Sequence, residues 1–195
     1  MTKNAYREQQ LHEIETRWFK THVATIFPAE SDHGPVWLRW AKPGTNVYRV
    51  DYLIHRNNLH VSGDIGHSSF CWSEQISLNM LASFDWHYFL GKAQGIDGYI
   101  EHHEWCHEHA EKWIREVIGE SEDLANCLED DWPRCLESQD RWQQHLNSCY
   151  ESNDMDGEDL THLLEAGQCW NMRALAHWKG LQMAHAQLNP PLKAA

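Results

Sequence analysis

Apolar and polar positions change period twice along this 195-residue chain. From Asn4, a residue suited to cap a helix, Leu11, Ile14 and Trp18 recur at helical spacing and predict a first helix ending near His22. From Val36 to Trp72 the period is two. Val36, Leu38 and Trp40 alternate with Trp37 and Arg39, and Tyr48, Val50, Tyr52 and Ile54 alternate with Arg49, Asp51 and Leu53. Lys42-Pro43-Gly44-Thr45, Arg56-Asn57-Asn58 and Gly63-Asp64-Ile65-Gly66 are turn sequences that separate runs 36–41, 46–55, 59–63 and 67–72. Short connections make neighbouring strands antiparallel, so the expected sheet is a four-stranded meander with helices on one face.

Beyond Trp72 the strand period is lost, and helices are expected at 76–91, 99–118, 121–130, 134–151, 157–166 and 170–188, the last stopped by Asn189-Pro190-Pro191. The fold class is α+β: an N-terminal helix, the meander, then a helical C-terminal half. The expected division is a helix-plus-sheet module over 1–98 and a helical module over 99–195, packed together, with the last helix free to return to the sheet.

Eleven tryptophans supply much burial per residue and offset a polar average hydropathy. Charge alters the picture more. The chain carries a formal −13, yet Glu101 to Glu165 alone hold 19 acidic and 4 basic residues. Such a balance disfavours direct contact with nucleic acid or anionic membrane and favours a basic partner or a cation. It sets no oligomeric state. The amino terminus lacks the apolar core of a signal peptide and no run reaches membrane-spanning length, so the expected location is the cytosol. The six cysteines include no Cys-x-x-Cys pair, which leaves buried, reduced thiols as the expectation.

Two kinds of chemistry can be read in the acidic half. His103-Glu104-Trp105-Cys106-His107 spells His-Glu-x-x-His; on a helix both imidazoles reach one zinc ion and the glutamate takes a proton from its water. A third ligand would come from Glu122, Glu129, Asp130 or Asp131. The longer motif with a glycine and a third histidine is excluded by Ala110 and Trp113. On the expected helix Ile100, His103, His107, Ala110, Ile114 and Val117 form one stripe, so the histidine pair reads equally well as core-facing. The row His102, Cys106 and His109 reads as a solvated face or as ligands for a soft ion. Zinc is therefore the alternative cofactor, and none the preferred one.

The second chemistry is charge. Glu120, Glu122 and Asp123; Glu129, Asp130 and Asp131; and Asp154, Asp156, Glu158 and Asp159 cluster at expected helix ends. Part of that charge is ordinary capping. The remainder exceeds what capping needs and can imitate the charge spacing of a nucleic-acid backbone. Asp64, with Asp85 or His87 as partner, reads as a turn residue before it reads as a catalytic acid. Gly-rich phosphate loops, nucleophile elbows and dinucleotide fingerprints are absent from the sequence.

Ser62-Gly63-Asp64-Ile65-Gly66, followed by Trp72, Leu78, Leu81, Asp85, Tyr88, Phe89 and Lys92, resembles a group of small bacteriophage- and prophage-encoded accessory proteins, as does Leu175-Ala176-His177-Trp178-Lys179-Gly180-Leu181. The resemblance spans about residues 48–92 and 170–188. It carries over no functional residue. What it implies is a setting: a phage protein acting in a bacterial host cell, where inhibitors of host defence such as anti-CRISPR proteins operate. The expected function is non-enzymatic binding, by the acidic surface, to a basic surface of a host protein or nucleoprotein complex. A zinc-dependent hydrolase or zinc-stabilised module using His103 and His107 is the alternative, and a phage structural or assembly component is a third.

Overall fold

The computed structural model describes residues 3–27, 34–94, 103–120, 122–128, 132–152, 155–164 and 166–190. The class is α+β. Two compact units divide the chain: Met1–Tyr6 with His103–Trp170, and Arg7–His102 with Asn171–Ala195. Beside the expected modules 1–98 and 99–195, the structure groups Met1–Tyr6 with the helical unit and the last helix with the sheet, the return that the sequence left open. Among the described residues no helix is long and apolar enough to cross a membrane.

The helix α1 (Lys3–Glu13), which enters the sheet unit at Arg7, runs into a single π-helical turn, Ile14–Trp18, closed by Phe19 N–H donating to the Ile14 carbonyl at 2.9 Å. The extra residue in that turn shifts the helical register. Ile14 and Phe19 are therefore the buried residues, while Trp18, expected on the same stripe, instead stacks on Tyr48 at 4.8 Å between centroids.

The meander has five strands, not four: β1 (Val23–Phe27), β2 (Val36–Ala41), β3 (Val50–His55), β4 (Asn58–Gly63) and β5 (Ser68–Cys71), in that spatial order and all antiparallel. Alternation sends Leu38, Trp40, Val50, Tyr52, Ile54, Leu59, Val61 and Phe70 to one buried face. The opposite face holds two transverse rows set by the register: Phe27, Trp37, Leu53, His60 and Ser69, and beside it Thr25, Arg39, Asp51 and Ser62. At the end of β4, Gly63 has φ +143°, and a Cβ there would lie 2.1 Å from the Arg49 carbonyl oxygen, so only glycine fits.

The expected helix 76–91 is two helices, α2 (Leu78–Ser83) and α3 (Trp86–Leu90), because Ser77 and Asp85 each cap a new start, accepting from Met80 and Tyr88 N–H. The buried face of the sheet is closed by α9 (Met172–Leu188), capped by Asn171, through Leu175, Trp178, Leu181 and Ala184. Its Gly180 admits close approach: a Cβ would stand 2.6 Å from the Tyr52 hydroxyl, which donates to the His177 carbonyl at 2.8 Å. At the sheet edge Gln187 reaches β1, its Oε1 accepting from Ala24 N–H at 2.7 Å.

The helical unit contains β6 (His103–Trp105), α4 (His107–Glu120), α5 (Glu122–Leu128), α6 (Trp132–Cys135), α7 (Gln139–Glu151), α8 (Gly157–Leu164) and β7 (Gln168–Trp170), with β6 and β7 paired antiparallel. Its interior is apolar, built on Ala110, Ile114, Leu128, Leu136, Trp142, Leu146 and Leu163. Trp142 is fully buried and its indole N–H donates to the Leu163 carbonyl at 2.8 Å.

Candidate functional site

The metal reading required His103 and His107 on consecutive turns of one helix. The structure separates them: His103 opens β6, and α4 begins only at His107. A strand rises about 3.3 Å per residue against about 1.5 Å in a helix, so the i, i+4 stacking of imidazoles does not exist here. What makes residues 103–105 extended is pairing with β7, followed by Cys106 N–H donating to the Gly167 carbonyl at 2.9 Å. Gly167 lies under the Trp105 ring, where a Cβ would come within 2.6 Å of the indole.

His107 is engaged locally. Its Nδ1–H donates to the Leu136 carbonyl at 3.0 Å, an acceptor shared with the Trp105 indole N–H at 2.9 Å, and Nε2 faces Glu111 at 3.8 Å. Its side chain is 42% exposed, so the core-facing assignment is corrected as well; Ala110 and Ile114 carry the buried stripe instead. Glu104 is exposed, and the His103 side chain lies outside the described residues. Of the proposed third ligands, the Glu122 side chain and residues 129–131 lie outside them too. Among the described residues no three His, Cys, Asp or Glu side chains are grouped to hold a metal ion.

Of the second row, His102 is not described, while Cys106 and His109 meet a residue from the start of the chain. Tyr6 hydroxyl and Cys106 sulfur are 3.7 Å apart, and the Tyr6 and His109 rings lie 5.2 Å apart. Burial first, and then the Cys106 thiol, pushes the Tyr6 phenol well above its ordinary value. No spacing along the sequence announces that contact.

The acidic candidates divide by how they are used. Asp123 is exposed on α5. Asp156 is exposed and caps α8, its Oδ1 accepting from Asp159 N–H at 2.8 Å, while Asp159 itself is half-buried. The side chains of Glu120, Glu122 and Glu158, and residues 129–131 and Asp154, are outside the described set. Further exposed carboxylates that the clusters did not single out are Glu104, Glu108, Glu116, Glu137, Asp140 and Glu151. None of them has another acid beside it in the sequence, so no run of acids marks them. Two of the basic side chains are tied up within their own helices or caps: Arg115 with Glu111 at 2.7 Å, and Arg141 with Glu137.

Asp64 and Asp85 are structural. Asp64 Oδ2 accepts from Tyr48 N–H at 2.7 Å while its own N–H donates to the Arg49 carbonyl at 2.9 Å, and Asp85 caps α3.

Compared with known proteins, the chain matches no family model, no curated protein and no solved structure.

Proposed function

We propose that the chain is a non-enzymatic binding protein of phage type, whose acidic helical unit occupies a basic surface of a nucleic-acid-handling or defence complex, CRISPR effectors included, in the cytoplasm of a bacterial host. The observation that carries this reading is the segregation of charge. The unit formed by Met1–Tyr6 and His103–Trp170 holds 18 acidic and 5 basic residues, while the sheet unit holds 11 of each. All of the excess therefore belongs to one unit, whose interior is apolar and whose exposed carboxylates among the described residues include Glu104, Glu108, Glu116, Asp123, Glu137, Asp140, Glu151 and Asp156. A negative surface of that kind steers association with a positive groove and is weakened by salt.

The test is the binding of purified host nuclease or CRISPR effector across a salt series, with wild type and a Glu116→Lys/Asp123→Lys/Glu151→Lys variant. Affinity should fall steeply with salt, and the variant should lose most relative to wild type where salt is lowest. Equal binding at low and high salt, or binding that survives the triple reversal, removes the reading.

A further inference from the structure

The solvent-facing side of the five-stranded sheet departs from the charge of the chain as a whole. In its first row Phe27 and Trp37 lie 4.7 Å apart between centroids, and Trp37 and Leu53 are 41% and 39% exposed. In the second row the Arg39 guanidinium sits 5.5 Å from the Phe27 centroid and 5.3 Å from that of Trp37. Asp51 holds this arrangement in place. It accepts from Arg39 Nε at 2.7 Å and from the Trp37 indole N–H at 3.4 Å, and pairs with Arg49 Nε at 3.1 Å.

Beside these rings opens a concavity of about 460 Å³ whose polar lining is Arg39, Lys42, Arg49, Thr25, Thr45 and Asn46. No carboxylate lines it. Arg39 and Arg49 share one carboxylate, Asp51, and Lys42 adds a third cation to the lining, so the face has a local surplus of positive charge within a unit that is neutral overall. Average charge argues against nucleic acid for the whole chain; this face has the opposite sign.

We propose that the open sheet face, centred on Trp37, Phe27 and Arg39, binds single-stranded nucleic acid, with a base stacked on the exposed indole and its phosphate seated among Arg39, Lys42 and Arg49. The two halves of the site match the two halves of a nucleotide. A flat, aromatic strand surface reads bases only when they are unstacked from a partner strand, which selects single strands over duplex. Cations beside the rings neutralise the backbone, and an arginine already packed on aromatic rings adds its own cation–π attraction to a base. An acidic peptide, or the acidic unit of a second copy, would satisfy the cations and leave the rings unused. This inference does not rest on the acidic-surface reading, which concerns the other unit.

The test uses the full chain and fluorescein-labelled oligo-dT and oligo-U in anisotropy titrations at low salt. Saturable binding is expected, with Trp37→Ala weakening it about tenfold, the scale of one stacked base, and Trp37→Phe retaining most of it. Lys42→Ala should weaken all sequences alike and lower the slope of log affinity on log salt by about one. The proposal is overturned by three results: no saturable binding to wild type, equal affinity in wild type and Trp37→Ala, or displacement by poly-glutamate as efficient per charge as by unlabelled oligonucleotide. A concentration-dependent dimer that Trp37→Ala abolishes, with no oligonucleotide bound, would assign the face to a second copy and overturn it as well. Should Trp37→Ala not fold, Trp37→Phe and Lys42→Ala decide: both as tight as wild type with an unchanged salt slope would exclude the site.

Discussion

Gly180 and Tyr52 form a pair whose energetics can be worked out before measurement. Replacing Gly180 by alanine in the middle of α9 gains about 1 kcal/mol of helix propensity. Against it, the new Cβ would stand 2.6 Å from the Tyr52 hydroxyl, 3.0 Å from Phe19 and 3.1 Å from Trp40, all buried side chains. Overpacking of this kind costs about 1–3 kcal/mol, and pushing the hydroxyl away loses its bond to the His177 carbonyl, worth about 1 kcal/mol. Gly180→Ala should therefore destabilise by roughly 1–3 kcal/mol, or lower Tm by about 2–12 °C for a chain of this size. Tyr52→Phe alone should cost about 1 kcal/mol. In the Tyr52→Phe background the nearest clash is gone, so adding Gly180→Ala should cost no more than about 1 kcal/mol. The assay is a double-mutant cycle from urea unfolding followed by circular dichroism. Strict additivity of the two substitutions would refute the reasoning, because it would mean that hydroxyl and methyl do not compete for the same space.

Two further outcomes follow from buried polar groups. His22 is 4% exposed, donates from Nε2 to the Tyr48 carbonyl at 3.1 Å, and is packed against Phe19 and Trp40; burial holds its pKa below the ordinary value of 6.5. The unfolded chain thus takes up the proton first, so His22 contributes stability above about pH 6.5 that is lost as pH falls through the lowered folded value. The stability difference between wild type and His22→Gln, measured by urea titration, should shrink from pH 8 towards acid; a difference flat with pH would contradict this. In the helical unit, Trp142→Phe removes a buried N–H bond and leaves a void, and should cost about 2–3 kcal/mol in chemical unfolding. A cost below about 0.5 kcal/mol would mean that the indole is not the anchor of that core.

The sheet was legible wherever one face is buried and the other wet. In β2 to β5, buried and accessible residues alternate, and period two is written into the sequence. β1 was missed for a physical reason: it is an edge strand whose residues run exposed, half-buried, exposed, exposed, half-buried, with no period to read. The His-Glu-x-x-His pattern failed for another. Three residues of strand carry no periodicity, and their pairing with β7 depends on a partner more than sixty residues away that ends where α9 begins. The π-helical turn shows a third limit. One inserted residue exchanges Trp18 for Phe19 at the core, and composition alone cannot place it. The aromatic and basic rows of the open face were present in the pattern as the polar-phase positions of β2 and β3. Which of those side chains stand beside one another follows only from the register across β1 to β3.

The same helix that covers the sheet also guards its edge. Gln187 accepts from Ala24 N–H at 2.7 Å and donates to the His22 carbonyl at 3.3 Å. Both services arrive late in synthesis. About a hundred residues separate β5 from α9, and at ribosomal rates their translation takes on the order of ten seconds. During that interval the nascent sheet lacks both the part of its apolar cover that α9 supplies and its edge guard, the condition under which strands recruit one another. What is being made meanwhile is the acidic unit, whose repulsion between neighbouring nascent chains opposes that association. The placement of the charge between the two halves of the sheet unit thus sets like-charge repulsion against strand recruitment in the interval before α9 is made.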